Sequence, residues 1–196
     1  MKIIGITGGI GTGKSTILRI LKETYDAYII ETDKLAHRLM EPGESAYNKI
    51  VDYFGKEILQ DNLFIDRGKL GQIVFRDEEK LQRLNAIVHP AVKEYILKDI
   101  EEKRQKESIS YYVIEAALLI EDGYKLICDE LWYIYTEQAV RLERLLKSRG
   151  GNKDKWLQVI QNQASDAFYR EHCDVVIDNG NEVEITFETI KELLCK

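Results

Sequence analysis

The sequence predicts a three-layer α/β fold: a parallel sheet covered by helices on both faces, with a helical insertion and a small helical lid. Three observations predict it. Short β-branched runs alternate with amphipathic helical stretches, the pattern of parallel strands joined by crossover helices. A glycine-rich segment follows the first of those runs directly. The stretch from 33 to 100 carries helical spacing and too few strands to feed a sheet, so it reads as an insertion after the second strand.

The elements follow in order. Ile3, Ile4 and Ile6 form a short buried strand ending in glycines. Lys14 to Glu23 places Ile17, Leu18 and Leu21 at helical spacing, and Ala27 to Ile30 reads as the second strand. Leu35, Leu39 and Met40, then Ile50, Val51 and Phe54, mark two helices separated by Glu41-Pro42-Gly43. Asp77 to Ile100 is a long helical pattern, with a break expected at His89-Pro90, because proline lacks an amide hydrogen and disfavours helical geometry in the residue before it. Tyr111 to Ile114 and Leu131 to Tyr135 read as buried strands. A helix over Glu137 to Arg149 ends at Gly150-Gly151, and another follows around Trp156, Val159 and Ile160. Val175 to Ile177 is a last short strand, and Phe187, Ile190 and Leu194 mark a final helix.

Gly8-Gly9-Ile10-Gly11-Thr12-Gly13-Lys14-Ser15 fits the pattern G-x-x-x-x-G-K-[ST]. A random chain of this length contains that pattern with a chance on the order of 1%, and here a strand precedes it and an amphipathic helix follows. Glycines let the backbone curl so that successive amides face phosphate oxygens, and the helix adds its free N–H groups and positive dipole end. Lys14 supplies a charge for the outer phosphates, and the Ser15 hydroxyl suits Mg²⁺, a hard cation. The expectation is a P-loop that binds a nucleoside triphosphate. No guanine-reading N-K-x-D is present: Asn48-Lys49-Ile50-Val51 and Asn152-Lys153-Asp154-Lys155 both fail it. Asp52-Tyr53-Phe54-Gly55 fits D-x-x-G but sits on a helical pattern.

Several other residues carry two readings each. Asp33 follows the second strand, at the edge where open α/β sheets bind ligands, and suits a base that takes a proton from an attacking hydroxyl. It equally suits a helix N-cap. Glu31, two residues earlier, points the same way on an extended strand and is a candidate to hold Mg²⁺ through water. Glu115 ends a strand, as a second metal-supporting or substrate-side acid or as an exposed carboxylate. Arg141 and Arg144 share a helix face, with Arg149 further along; they read as a phosphate-binding lid hinged at Gly150-Gly151, or as a solvated face paired with Glu137 and Glu143. His89 is a substrate contact or a structural histidine.

Composition bounds the partners. The chain has 196 residues, 44% apolar and 32% charged, enough for one sizeable core. With 28 Lys+Arg against 34 Asp+Glu, the net charge of −6 argues against broad nucleic-acid binding but not against a small anion held by local groups. No apolar run approaches the ~20 residues of a membrane span, and nothing near Met1 resembles a signal peptide, so a cytoplasmic protein with no membrane partner is expected. Cys128, Cys173 and Cys195 are widely spaced and odd in number, which speaks against a disulfide framework or structural zinc. A monomer is expected, with oligomerisation left open.

Taken together, these stretches resemble the dephospho-coenzyme A kinase family. The likeness rests on Ile6 through Thr16, Glu31-Thr32-Asp33 with Ala36-His37, Glu41-Pro42-Gly43, Asp66-Arg67 with Leu70 and Val74-Phe75, and His89-Pro90. It continues in Glu115-Ala116-Ala117-Leu118-Leu119-Ile120-Glu121, Gln163, and Asp174 through Asn179. The resemblance implies transfer of the ATP γ-phosphoryl to the ribose 3′-hydroxyl of dephospho-coenzyme A, with ATP and Mg²⁺. It implies Asp33 and Lys14 as catalytic, Gly8, Gly9, Gly11, Thr12, Gly13, Lys14, Ser15 and Thr16 with Arg144 and Arg149 around ATP, and His37, Arg67, His89 and Glu115 with Asp33 around substrate. It implies Ser15 and Glu31 at the metal. The implied division is a core of 1–32, 101–139 and 170–196, a substrate domain of 33–100 and a lid of 140–169. Many relatives carry Asp where Glu31 stands, and Ala117 stands where many bacterial members have Pro. The rival readings are a nucleoside or nucleotide kinase with the same loop, and a non-catalytic nucleotide switch, which the missing guanine-reading motif disfavours.

Overall fold

The computed structural model describes residues 1–107 and 109–195. Ser108 and Lys196, which fall within the expected core, lie outside the described residues. The chain divides into two compact units, Met1–Ile30 with Glu107–Lys196, and Glu31–Lys106.

The first unit is built on a five-stranded sheet in the order β2-β3-β1-β4-β5, from β1 (Lys2–Thr7), β2 (Tyr28–Glu31), β3 (Tyr111–Glu115), β4 (Glu130–Tyr135) and β5 (Val175–Asp178). β1 pairs in parallel with β3, Ile4 opposite Val113, and with β4, Ile6 opposite Trp132. β4 pairs in parallel with β5, Ile134 opposite Ile177. The central strands read as near-continuous apolar runs because both faces are covered, as parallel sheets require. Ile4, Ile6, Val113, Trp132 and Ile134 pack with Ile17 and Leu21 of α1 (Lys14–Tyr25) and Ile190 of α9 (Val183–Leu194). Burying such side chains contributes roughly 1.5–3 kcal/mol each, which makes this cluster the main stabiliser of the unit. Three further helices complete it: α6 (Gln138–Arg149), α7 (Lys153–Gln161) and α8 (Asp166–His172). Parallel strands all end at one edge, so the β1–α1 turn and the residues after β3, β4 and β5 share that edge.

The second unit holds α2 (Thr32–Leu39), α3 (Tyr47–Phe54), α4 (Arg67–Val74) and α5 (Glu78–Lys106), with a 3₁₀ turn at Lys56–Ile58. Leu35, Leu39, Ile50, Phe54, Leu70 and Val74 are buried, with α2, α3 and α4 all contacting α5. The expected break at His89-Pro90 does not occur: α5 runs through Pro90 for 29 residues. Proline costs one hydrogen bond to the preceding turn and some ~3 kcal/mol. Ile87, Val88, Ala91, Val92 and Ile96 are buried on both sides of it, so the packing face is continuous and outweighs that loss. α4 and α8 begin at side-chain caps. Asp66 Oδ1 accepts from the Gly68 and Lys69 amides at 2.9 and 3.0 Å, and Ser165 Oγ accepts from Phe168 N at 3.2 Å. No helix among the described residues is long and apolar enough to cross a membrane.

Candidate active site

The β1–α1 turn curls because Gly8, Gly11 and Gly13 sit at φ of 147°, 79° and 86°, values that side-chain-bearing residues rarely adopt. A Cβ on Gly9 would lie 2.2 Å from Arg141 Nη2, so the second glycine is needed for close approach. Thr12 is 1% exposed, and its hydroxyl donates to Gly9 O at 2.9 Å, closing the turn internally. Lys14 opens α1 and folds back across the loop: its ammonium donates to Gly8 O at 2.8 Å and lies 3.5 Å from Glu115 Oε1. Ser15 stands exposed in the first turn of α1, and Thr16 N donates to Gly13 O at 2.9 Å. The loop's base holds Thr7 Oγ1, the one buried side-chain polar atom without a partner among the described residues.

Two braces hold this loop. Arg141 Nε donates to Ile10 O at 2.9 Å and its Nη2 to Gln163 Oε1 at 2.7 Å, while the same Gln163 oxygen accepts from Ile10 N at 2.9 Å. Burial holds the Arg141 guanidinium below the ordinary arginine pKa, with Tyr133 and Tyr169 opposing the shift. On the other side Arg144 Nη2 donates to Asn179 O at 2.8 Å, and Asn179 Nδ2 to Thr12 O at 2.8 Å. Thr136 Oγ1 lies 3.0 Å from Thr12 O and 2.7 Å from Tyr135 O, so its one proton has two carbonyls to choose between. Arg141 and Arg144 thus contact backbone around the loop, each by a different carbonyl. Arg149 lies exposed in the last turn of α6, just before Gly150 and Gly151 at φ of 63° and 90°. Thr136 and Thr186 were not singled out by the sequence. Each is an isolated threonine, and only the fold brings them to Thr12 and Asn179.

A second group forms within the helical unit. Glu31 is the last residue of β2 and the N-cap of α2, so α2 starts at Thr32. Asp33 is therefore neither the cap nor on a strand with Glu31: it lies in the first helical turn, where a carboxylate complements the helix dipole. Glu31 Oε1 meets Lys34 Nζ at 2.7 Å. His37, one turn beyond Asp33, has its pKa lowered first by partial burial and then by the charge of Arg67 at the start of α4, with Asp33 opposing. Asp33 and Arg67 are thus each within electrostatic reach of His37. His89 is half-buried in the middle of α5.

Such a loop, with inward-curling glycines, a lysine across its mouth and an exposed serine on the following helix, is equipped to hold a polyphosphate. The model of the dephospho-CoA kinase family matches residues 2–184. A dephospho-CoA kinase of Carboxydothermus hydrogenoformans is 42% identical over 196 residues, covering 100% of this chain and 94% of the relative. The chain belongs to the dephospho-CoA kinase family. Members are ATP-dependent kinases, and this chain is one by that membership. Among solved structures, a dephospho-CoA kinase from Campylobacter jejuni matches with a TM-score of 0.72 and 26% identity over 98% of each chain. A shikimate kinase from Acinetobacter baumannii matches with a TM-score of 0.54 and 14% identity, over 100% of this chain and 94% of that one, a likeness of fold alone. Of the residues expected for a dephospho-CoA kinase, Gly8 to Thr16, Glu115, Arg144 and Arg149 lie in the sheet-bearing unit. Glu31, Asp33, His37, Arg67 and His89 lie in the helical unit.

Proposed function

We propose that this chain transfers the γ-phosphoryl of ATP to the ribose 3′-hydroxyl of dephospho-coenzyme A, giving coenzyme A and ADP. The observation that carries the reading is the match to dephospho-CoA kinases along nearly the whole chain, on a sequence whose first loop is folded as a phosphate cradle.

The loop glycines turn the amides of Gly11, Gly13, Lys14 and Ser15 toward the phosphates, while Thr12 N and Thr16 N bond to Gly9 O and Gly13 O within the loop, and the α1 N-terminus adds its dipole. Lys14 exchanges Gly8 O and Glu115 for the outer phosphates when ATP binds, and from there meets the charge that develops in transfer. Arg144 and Arg149 add forked donors. Within the sheet-bearing unit the Ser15 hydroxyl, exposed at the start of α1, and the Glu115 carboxylate are hard oxygen donors of the kind that suit Mg²⁺. The ion when bound neutralises phosphate charge. Asp33 accepts the proton of the 3′-hydroxyl and orients its oxygen for attack. Arg67, His37 and His89 hold the anionic acceptor. The two-unit division supports a core for ATP and a helical domain, 33–100, for the acceptor; 140–169, which belongs to the sheet-bearing unit, is proposed as the lid.

Incubation with ATP, Mg²⁺ and dephospho-coenzyme A, followed by mass spectrometry, tests this. One added phosphoryl group on the acceptor, assigned to the 3′-oxygen by phosphorus NMR, is expected. Phosphate arriving on a nucleoside and none on dephospho-coenzyme A would overturn it.

A further inference from the structure

We infer that Thr186 and Asn179 form a positioning pair that fixes the direction of the phosphate loop's amides, and that Thr186 thereby sets the affinity for ATP without touching it. Thr186 lies on α9, two residues beyond the segment matched by the family.

The geometry is specific. Asn179 follows β5 directly and is 4% exposed; Thr186 is 0% exposed. Asn179 N donates to Tyr135 O at 2.9 Å, tying its backbone to β4. Its side-chain Nδ2 faces the carbonyls of Thr12 and Gly13, at 2.8 and 3.5 Å. Carbonyls only accept, so the amide must present its NH₂ end to them. Its oxygen end then faces Thr186 Oγ1 at 3.0 Å, and that hydroxyl must donate. Every polar atom in this buried chain has a single consistent role. Losing the hydroxyl leaves Asn179 Oδ1 buried and unpaired, so the amide is held only from its NH₂ end, by Thr12 O and Gly13 O, and gains a reason to shift toward another donor.

The consequence for the loop follows from peptide planarity. In a trans peptide the C=O of one residue and the N–H of the next point in opposite directions. Pinning Thr12 O outward, onto Asn179 Nδ2, therefore turns Gly13 N–H the other way, toward the inside of the curl. The weaker contact to Gly13 O acts in the same sense on Lys14 N–H. Gly13 cannot be anything larger, since a Cβ there would lie 2.2 Å from Asn179 Nδ2. Asn179 O also accepts from Arg144 Nη2 at 2.8 Å, so the same residue orients a cation beside the loop. This inference rests on reading the loop as the phosphate site of ATP.

Thr186→Val keeps the shape and removes the hydroxyl; Thr186→Ser keeps the hydroxyl. Titration calorimetry of the full chain with ATP and, separately, with dephospho-coenzyme A gives both affinities, and initial rates give KM and kcat. In Thr186→Val the Kd and KM for ATP should rise about fivefold or more, while the Kd for dephospho-coenzyme A stays within about twofold. Thr186→Ser should return ATP affinity to within about twofold of wild type. Wild-type affinity for ATP in Thr186→Val overturns the pair. So does an equal loss for both ligands, or a Thr186→Ser variant as weak as Thr186→Val, since each marks packing rather than orientation. A wild type that binds no ATP defeats the functional reading itself, and the inference with it. A crystal structure of the wild type with ADP needs no variant to fold: Asn179 should donate to Thr12 O with Thr186 on its oxygen, and an amide turned over or withdrawn from Thr12 overturns the proposal.

Discussion

Lys14 Nζ lies 3.5 Å from Glu115 Oε1, with the two side chains only 19% and 15% exposed. A cation and a carboxylate this sheltered interact more strongly than a surface pair. Incoming phosphates must therefore draw the lysine away from the acid. Lys14→Ala should weaken ATP binding about tenfold or more, because the outer phosphates lose a charged donor. Glu115→Gln should leave ATP binding intact or tighter, since a competing anion is gone, while lowering kcat and raising the Mg²⁺ concentration needed for half-maximal rate. Titration with ATP and rate measurements across a Mg²⁺ series check both. An unchanged ATP affinity in Lys14→Ala would remove the lysine from the phosphate site.

Asp33 sits in the first turn of α2 without serving as its N-cap, so Asp33→Asn costs little in helix stability beyond a favourable charge–dipole term of about 0.3–1 kcal/mol. As a general base it should lose ~10²–10⁴-fold in kcat with ATP affinity retained. A coupled assay for ADP release, run beside an ATP titration, distinguishes the roles. Turnover near wild type would leave Asp33 with a structural role only.

The contrast between Asp33 and Pro90 shows what a sequence discloses. Strand positions were legible because Ile3-Ile4, Tyr112-Val113-Ile114 and Leu131 to Ile134 are apolar runs that only a doubly covered sheet accommodates. The loop was legible because its spacing is itself the chemistry. Pro90 misled because local geometry was weighed alone, whereas the buried faces of Ile87 and Ala91 on either side decide the helix. α4 and α8 have good caps in Asp66 and Ser165, but helices of 8 and 7 residues show too little periodicity to stand out in the sequence. Thr136 and Thr186 carry no sequence signal at all: hydrogen bonds at separations of 124 and 7 residues exist only once β4, β5 and α9 are in place.

His37 offers a test by titration. Partial burial and Arg67 hold its pKa below the usual histidine value, and Asp33 pulls the other way. Replacing Arg67 with Leu should raise the His37 pKa, and Asp33→Asn should lower it further, both effects shrinking as salt is added. Because the folded-state value is depressed, His37 costs stability as pH falls below the unfolded histidine value, and the cost stops growing below the folded one. Histidine ring-proton NMR shifts followed against pH give the value directly. Unchanged titration in both variants would separate His37 from Asp33 and Arg67.

The three cysteines differ in burial, and their reactivity should follow. Burial, then the nearby carboxylates Asp129 and Asp174, push the Cys128 thiol up to about 12; burial and Asp174 push Cys173 to about 11. Cys195 is exposed at the end of α9. Only thiolates alkylate, so at pH 8 iodoacetamide should modify Cys195 first and Cys128 last, as read by peptide mass spectrometry over time. Rapid labelling of Cys128 in the folded chain would contradict its burial in the segment that precedes β4.

Gly5 lies in the middle of β1, where glycine is otherwise a weak strand former. A Cβ there would stand 2.7 Å from Leu131 Cδ2, 2.8 Å from Leu119 Cδ2 and 3.0 Å from Cys128 Sγ, all in the packed layer beside the sheet. Leu131 and Leu119 are both fully buried, so neither side chain has open space to move into. Gly5→Ala should therefore cost about 1–3 kcal/mol by overpacking. Urea unfolding should show a lower midpoint with an unchanged slope, because the same surface is exposed on unfolding. The phosphate loop begins three residues later, so ATP affinity measured well below the unfolding transition reports whether the strain stays local. Retained affinity beside the lowered midpoint is expected, since Thr12 and Gly13 are held from β5 and α9 rather than from the Leu119 side of β1.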